Sequence, residues 1–344
     1  MTHQLVRKFL WMVPLLLSTL ACNAVSQWTS QHTPSTTNLP PTSPSTSYAL
    51  DSAACTALLP DILRAASSDQ EASIVSMLSS DDQEVHYLVV YSLDGEVLGV
   101  RDDLLLPADV EGEIDSRASH EFIWDYFTAL IPPEQRTFVT EFSVLSDGLN
   151  NILAGASPTY DNPVEWTLKV DVVDAVNPYG LTYSLLHEYG HFLTLNSSQV
   201  PPDSQVFYHP DDADLYDQAV ASCPQYFTGE GCSNPGSYIN AFFTRFWSGI
   251  YADWQQTAQS GGSGMPVHFS NEFYELLKDQ FLTSYAATSL EEDIAESWTY
   301  FILSPKPEPV TVTDQKILFF YKYPELVALR EQILNRLCTA FPRN

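Results

Sequence analysis

Basic residues are scarce in this chain: 15 lysines and arginines stand against 43 aspartates and glutamates, a formal net charge of −28 over 344 residues. A surface of that sign repels nucleic acid and anionic lipid, so neither is expected as a partner. Long apolar runs are scarce too. The one that starts the chain, Phe9 to Leu17, is interrupted by Pro14 and is too short to cross about 30 Å of hydrocarbon. No later segment is long and apolar enough to span, and no internal repeat is present. Cysteines number only five. The acidic run Asp211-Asp212-Ala213-Asp214 lacks the spacing of an EF-hand loop, which leaves a solvated loop as its reading. What is plentiful is core material: 44% of residues are hydrophobic and 12% aromatic, enough for one large domain or two small ones.

Arg7 and Lys8, the apolar run and small residues before Cys22 follow the secretory pattern, so residues 1–21 are expected to be a cleaved signal peptide. Thr19-Leu20-Ala21-Cys22 resembles a bacterial lipobox, with Thr19 where Leu is usual; it implies lipid attachment at Cys22, ordinary signal-peptidase cleavage being the alternative. Residues 22–50 are rich in Ser, Thr and Pro and read as a tether. The expected location is extracytoplasmic, with membrane contact only through the anchor, and a monomer is expected. With Cys22 assigned to lipid, four cysteines are left. In an oxidising compartment they allow three connectivities, and sequence proximity favours Cys223–Cys232 with Cys55–Cys338.

Residues 51–135 read as a mixed α/β portion: a helix from Ala53 to Ala66, then a hairpin of Val85 to Tyr91 and Val97 to Val100 around Asp94-Gly95. A helix at Ser119 to Leu130 is ended by Pro132-Pro133. Residues 136–344 read as a second portion. It opens with a strand at Thr137 to Val144 and a Gly/Asn loop, followed by a strand at Val164 to Val172 whose apolar and polar residues alternate. Helices are expected at Leu181 to Leu195, Tyr238 to Trp254, Asn271 to Ser284, Leu290 to Leu303 and Pro324 to Phe341. The fold class is α+β.

His187-Glu188-Tyr189-Gly190-His191 is an HExxH motif. On a helix, positions i and i+4 share a face, so two imidazoles can converge on one Zn²⁺ at about 2.0–2.1 Å. Glu188 sits about 100° around the axis, where it can act on water beside the metal as a general base. Leu181, Leu185, Leu186, Phe192, Leu193 and Leu195 bury this helix, and buried histidines need partners. A metzincin would carry Gly and His where Thr194 and Ser197 stand, so that class is excluded. A gluzincin takes its third ligand from a glutamate on a later helix. Glu292 and Glu296 lie four apart on one face, with small Ala295 allowing close approach; one would ligate, and the other could hold a ligand histidine in its tautomer. Capping boxes are available from Thr288 or Ser289, Asp293 is expected to face water, and His120, His209 and His268 are expected on the surface or in loops.

The run Thr283-Ser284-Tyr285-Ala286-Ala287-Thr288-Ser289-Leu290-Glu291-Glu292-Asp293-Ile294-Ala295-Glu296 resembles the zinc peptidase domain of anthrax lethal factor and its bacterial relatives, in which Thr-Ser-Tyr precedes a helix reading Glu-x-x-Ala-Glu. The resemblance implies Glu292 as third zinc ligand, Glu296 as the partner of a ligand histidine, Tyr285 as a transition-state donor, a zincin-like fold and peptide-bond hydrolysis. In such a fold an edge strand lies along the cleft, and Val164 to Asp171 is expected to take that place and pair with a peptide or protein substrate. The contrasting readings are an inert zincin-like binding module and a structural zinc site completed by Cys223 or Cys232.

Overall fold

A computed structural model describes residues 55–65, 86–104, 116–146, 153–260 and 273–342. The signal peptide, Cys22, the tether and His268 lie outside the described residues. The architecture is α+β around one five-stranded mixed sheet of order β2-β1-β3-β5-β4. Strands β1 (His86–Asp94) and β2 (Val97–Asp103) form the expected hairpin, turning through Gly95 at φ +63°, a conformation that costs glycine little. β1 pairs antiparallel with β3 (Val139–Ser146), so both sequence portions contribute to one sheet. β3 runs parallel to β5 (Trp166–Asp171), and β4 (Ala154–Pro158) closes the sheet antiparallel to β5.

This topology corrects one expectation. The alternating strand β5 is interior, flanked by β3 and β4, and the edge on that side is β4, which falls where a loop was expected. β5 alternates because one face packs on helices while the other carries polar pairs. Trp166 meets Phe192 of the motif helix at 5.8 Å between ring centroids, and on the other face Thr167 donates to Glu141 at 2.8 Å.

The motif helix (Pro178–Leu195) is buried along most of its length. Asn177 caps it by accepting from the Tyr179 amide, and Pro178 occupies the first turn, where a missing N–H costs nothing. The helix Arg117–Leu130 packs beside it, with Phe127 and Phe192 6.3 Å apart. The expected aromatic helix is broken into Tyr238–Phe242, a π turn over Phe243–Trp247 and a helix Tyr251–Ser260. The expected helix before Ser284 is also cut short: residues 273–277 are helical, Lys278–Gln280 form a 3-10 turn, and Phe281 is extended. The carboxylate helix (Leu290–Leu303), a helix at Val312–Phe320 and the C-terminal helix (Pro324–Ala340) complete the core. Disulfides join Cys55 to Cys338 and Cys223 to Cys232, the pairing that proximity favoured, and they fit an extracytoplasmic location. Among the described residues no helix is long and apolar enough to cross a membrane.

Candidate metal centre

The motif helix and the carboxylate helix cross in direct contact. A Cβ placed on Gly190 would lie 3.0 Å from Ala295 Cα and 3.2 Å from its Cβ, closer than packed carbons approach. Glycine and alanine at this crossing therefore let two backbones come near enough for short side chains to meet. The carboxylate helix starts at Ser289, whose hydroxyl accepts from the Glu292 amide at 3.2 Å. Glu291, Glu292 and Asp293 fill its first turn, where the helix dipole favours anions. Each takes a different partner. Glu291 accepts from Tyr226 at 2.8 Å, Glu292 turns to the motif histidines, and Asp293 is fully buried against Lys316 and Trp247. The expectation that Asp293 faces water is thus corrected: a later helix, Val312–Phe320, covers it and brings a lysine.

His187 Nε2 lies 3.0 Å from Glu292 Oε2 and 3.1 Å from His191 Nε2, and His191 Nε2 lies 3.4 Å from Glu292 Oε2. Atoms bonded at about 2.0–2.1 Å to one tetrahedral cation are about 3.3–3.4 Å from each other. These three donors thus stand at nearly the separation that one ion requires, all within 4.8 Å and all on buried residues. No metal is in the structure, and the donor set fits one. His191 Nδ1, Glu292 Oε1 and both carboxylate oxygens of Glu188 are buried without a hydrogen-bond partner among the described residues. Unpaired polar atoms at that density are costly unless a cation or substrate completes them.

Glu296 sits behind His187. Its carboxylate accepts from His187 Nδ1 at 3.0 Å, Tyr183 Oη at 2.8 Å and Thr283 Oγ1 at 2.8 Å. With Nδ1 holding its proton for Glu296, Nε2 presents its lone pair to the centre. Tyr183 is not part of any motif read in the sequence, and Thr283 is there only as the first residue of the Thr-Ser-Tyr segment, with no role assigned to it. Tyr183 was findable, being one turn before His187 on the same helix face; the Thr-Ser-Tyr segment marks Thr283 without indicating that it bonds to Glu296. That threonine also accepts from the Ala286 amide at 3.0 Å, which ties the Tyr285–Ala287 turn to the centre. Tyr285 is part-buried, with its ring centroid 5.9 Å from that of His187.

The electrostatics follow from burying acids beside imidazoles. Burial lifts the Glu188 carboxyl to about 7, while His191 and His187 pull it back. Burial pushes Glu292 up as well, but His191 and His187 outweigh it and hold the group at about 2. His187 loses solvent, which lowers its pKa, yet its bonds to Glu292 and Glu296 win and raise it well above the usual imidazole range.

No family model, curated protein or solved structure matches this chain.

The other candidate groups sort by geometry. Cys223 and Cys232 are joined to one another, so neither is a thiolate available to a metal, and among the described residues the candidate ligand group holds only His187, His191 and Glu292. His120, expected at the surface, is fully buried, with Nδ1 2.9 Å from Tyr91 Oη, because the helix Arg117–Leu130 turns it toward β1. His209 is exposed, as expected, whereas the acidic run expected as a solvated loop enters a helix: Asp212 caps Ala213–Ser222 and Asp214 lies in its first turn.

Proposed function

We propose that this chain is a zinc-dependent endopeptidase of the gluzincin type, similar to the peptidase domain of anthrax lethal factor, exported and held at a membrane surface through Cys22. The observation that carries the reading is the coincidence of three convergent donors with a fourth group, Glu188, whose carboxylate is desolvated and unpartnered beside them. A binding module has no need of such a carboxylate, and keeping one buried costs free energy.

His187, His191 and Glu292 would hold the zinc ion, which when bound would supply a Lewis acid for the peptide carbonyl and for water. Glu188 takes a proton from the attacking water as its oxygen bonds to the carbonyl carbon. Tyr285 donates a hydrogen bond to the oxygen that becomes negative. Glu188 then delivers its proton to the departing nitrogen as the C–N bond breaks, and the proton left on the new carboxyl group passes to the amine, giving a carboxylate and an ammonium. Glu296 keeps His187 oriented throughout. The substrate strand adds to β4, the sheet edge beside the motif helix, by main-chain hydrogen bonds.

The test is Glu188→Gln. It is expected to keep one zinc per chain and to lose cleavage of a peptide library by about 10²–10⁴-fold. Cleavage at the wild-type rate would remove Glu188 from the mechanism, and a wild-type chain that takes up no zinc would remove the centre itself.

A further inference from the structure

Asp293 follows the proposed ligand Glu292 directly, and its surroundings are unusual for an acid in the interior. Its Oδ2 accepts from Lys316 Nζ at 2.5 Å and from Trp247 Nε1 at 2.7 Å. Both members of the ion pair are shielded, Asp293 at 0% and Lys316 at 1% exposure. Lys316 Nζ also lies 4.2 Å from the centroid of Phe281, so the ammonium is enclosed by an aromatic face as well as a carboxylate. Three separate elements meet at this one oxygen: the carboxylate helix, the helix Val312–Phe320 and the π turn Phe243–Trp247.

Stability alone does not account for this arrangement, because apolar residues of similar volume commonly replace a buried ion pair at no net loss. What the pair provides is direction. On the side of the motif helix, the carboxylate helix is held by the close Gly190–Ala295 approach, by Glu296 on His187 and Tyr183, and by Trp298 against Tyr189; the bonds of Asp293 to Lys316 and Trp247 hold it from a second side. Successive helical residues are about 100° apart, so Asp293 stands on the flank of the helix, about 100° around from Glu292 and about 60° from Glu296, and fixing it fixes the rotation at which both glutamates face the motif helix.

We infer that Asp293 and Lys316, with the Trp247 indole, are positioning residues: a buried polar pin that sets the rotation of the carboxylate helix and so holds Glu292 among the metal donors. The inference rests on the metal-centre reading above. It asks nothing of peptide turnover.

The experiment measures zinc affinity by chelator competition and the visible absorption of the cobalt-loaded chain, in wild type, Asp293→Leu/Lys316→Met and Trp247→Phe. The double replacement removes both charges together and is expected to keep the thermal midpoint. Its zinc affinity is expected to fall roughly 10–100-fold, the scale seen when the groups that orient a ligand are lost, with altered cobalt bands from a displaced carboxylate. Trp247→Phe removes a single donor, keeps an aromatic side chain and is expected to weaken zinc roughly 10-fold; it serves as the measurement if the double variant does not fold. Wild-type affinity and cobalt bands in either folded variant would overturn the pin while leaving the metal centre standing. Failure of the wild-type chain to bind zinc would overturn both.

Discussion

Replacing Gly190 by alanine sets two effects of known size against each other. In the middle of an exposed helix the change is favourable by about 1 kcal/mol, since alanine has the better helix propensity. Here the added methyl would meet Ala295 Cα at 3.0 Å, Ala295 Cβ at 3.2 Å and Trp298 Cδ1 at 3.2 Å. The first is backbone, the second is fixed to it, and Trp298 is fully buried, so nothing nearby can rotate aside. Overpacking of this kind costs roughly 1–3 kcal/mol, and a rigid neighbour places it toward the upper end. The clash wins, and a net loss of about 1–2 kcal/mol is expected, or roughly 2–8 °C in thermal midpoint for a domain of this size. Relief comes by parting the two helices, which also draws Glu292 away from His187 and His191, so zinc affinity is expected to fall at least roughly 10-fold. Calorimetry with a zinc competition assay reads both quantities, and Gly249→Ala, which has nothing within 4 Å, is the control. A Gly190→Ala chain more stable than wild type with unchanged zinc affinity would refute the close crossing.

Tyr285→Phe is expected to lower kcat roughly 10²–10³-fold with zinc stoichiometry intact, checked by steady-state kinetics and metal analysis. Zinc stabilisation should grow with pH. His187, raised above 6.5, stabilises the metal-free chain fully below that value and ceases to as pH climbs through its folded-state pKa, and Glu188, lifted to about 7, destabilises it as pH rises from 4.5 to 7. The zinc-induced rise in thermal midpoint is thus expected to be larger at pH 8 than at pH 5.5, and a flat profile would contradict this. Among disulfide replacements, Cys55→Ser/Cys338→Ser should lose more stability than Cys223→Ser/Cys232→Ser in denaturant titrations. The loops closed are 283 and 9 residues apart in sequence, and the chain-entropy cost scales with the logarithm of that separation, about 5–6 against about 2–3 kcal/mol as upper bounds.

The parts of this fold legible in the sequence were those with a strong local signal. The hairpin shows in Asp94-Gly95 between β-rich runs, the motif helix in its HExxH spacing, and the carboxylate helix in Glu292 and Glu296 four apart. What was not legible depended on tertiary neighbours. β4 is Ala-Gly-Ala-Ser-Pro, without the branched or aromatic side chains that mark strands, and forms because β5 offers it a partner. Asp293 looks like a solvated helix residue until a lysine 23 positions later covers it. His120 looks like a surface histidine until Tyr91 arrives from β1. In each case a partner distant in sequence decides the outcome.

The bond between Cys55 and Cys338 makes nearly the whole fold a single covalent ring. A protease that nicks any one peptide bond inside that ring yields two pieces still joined at their far ends, and they migrate apart only after reduction. A pull between the segment ahead of residue 55 and the one past residue 338 likewise acts across that bond and does not draw out the chain between them.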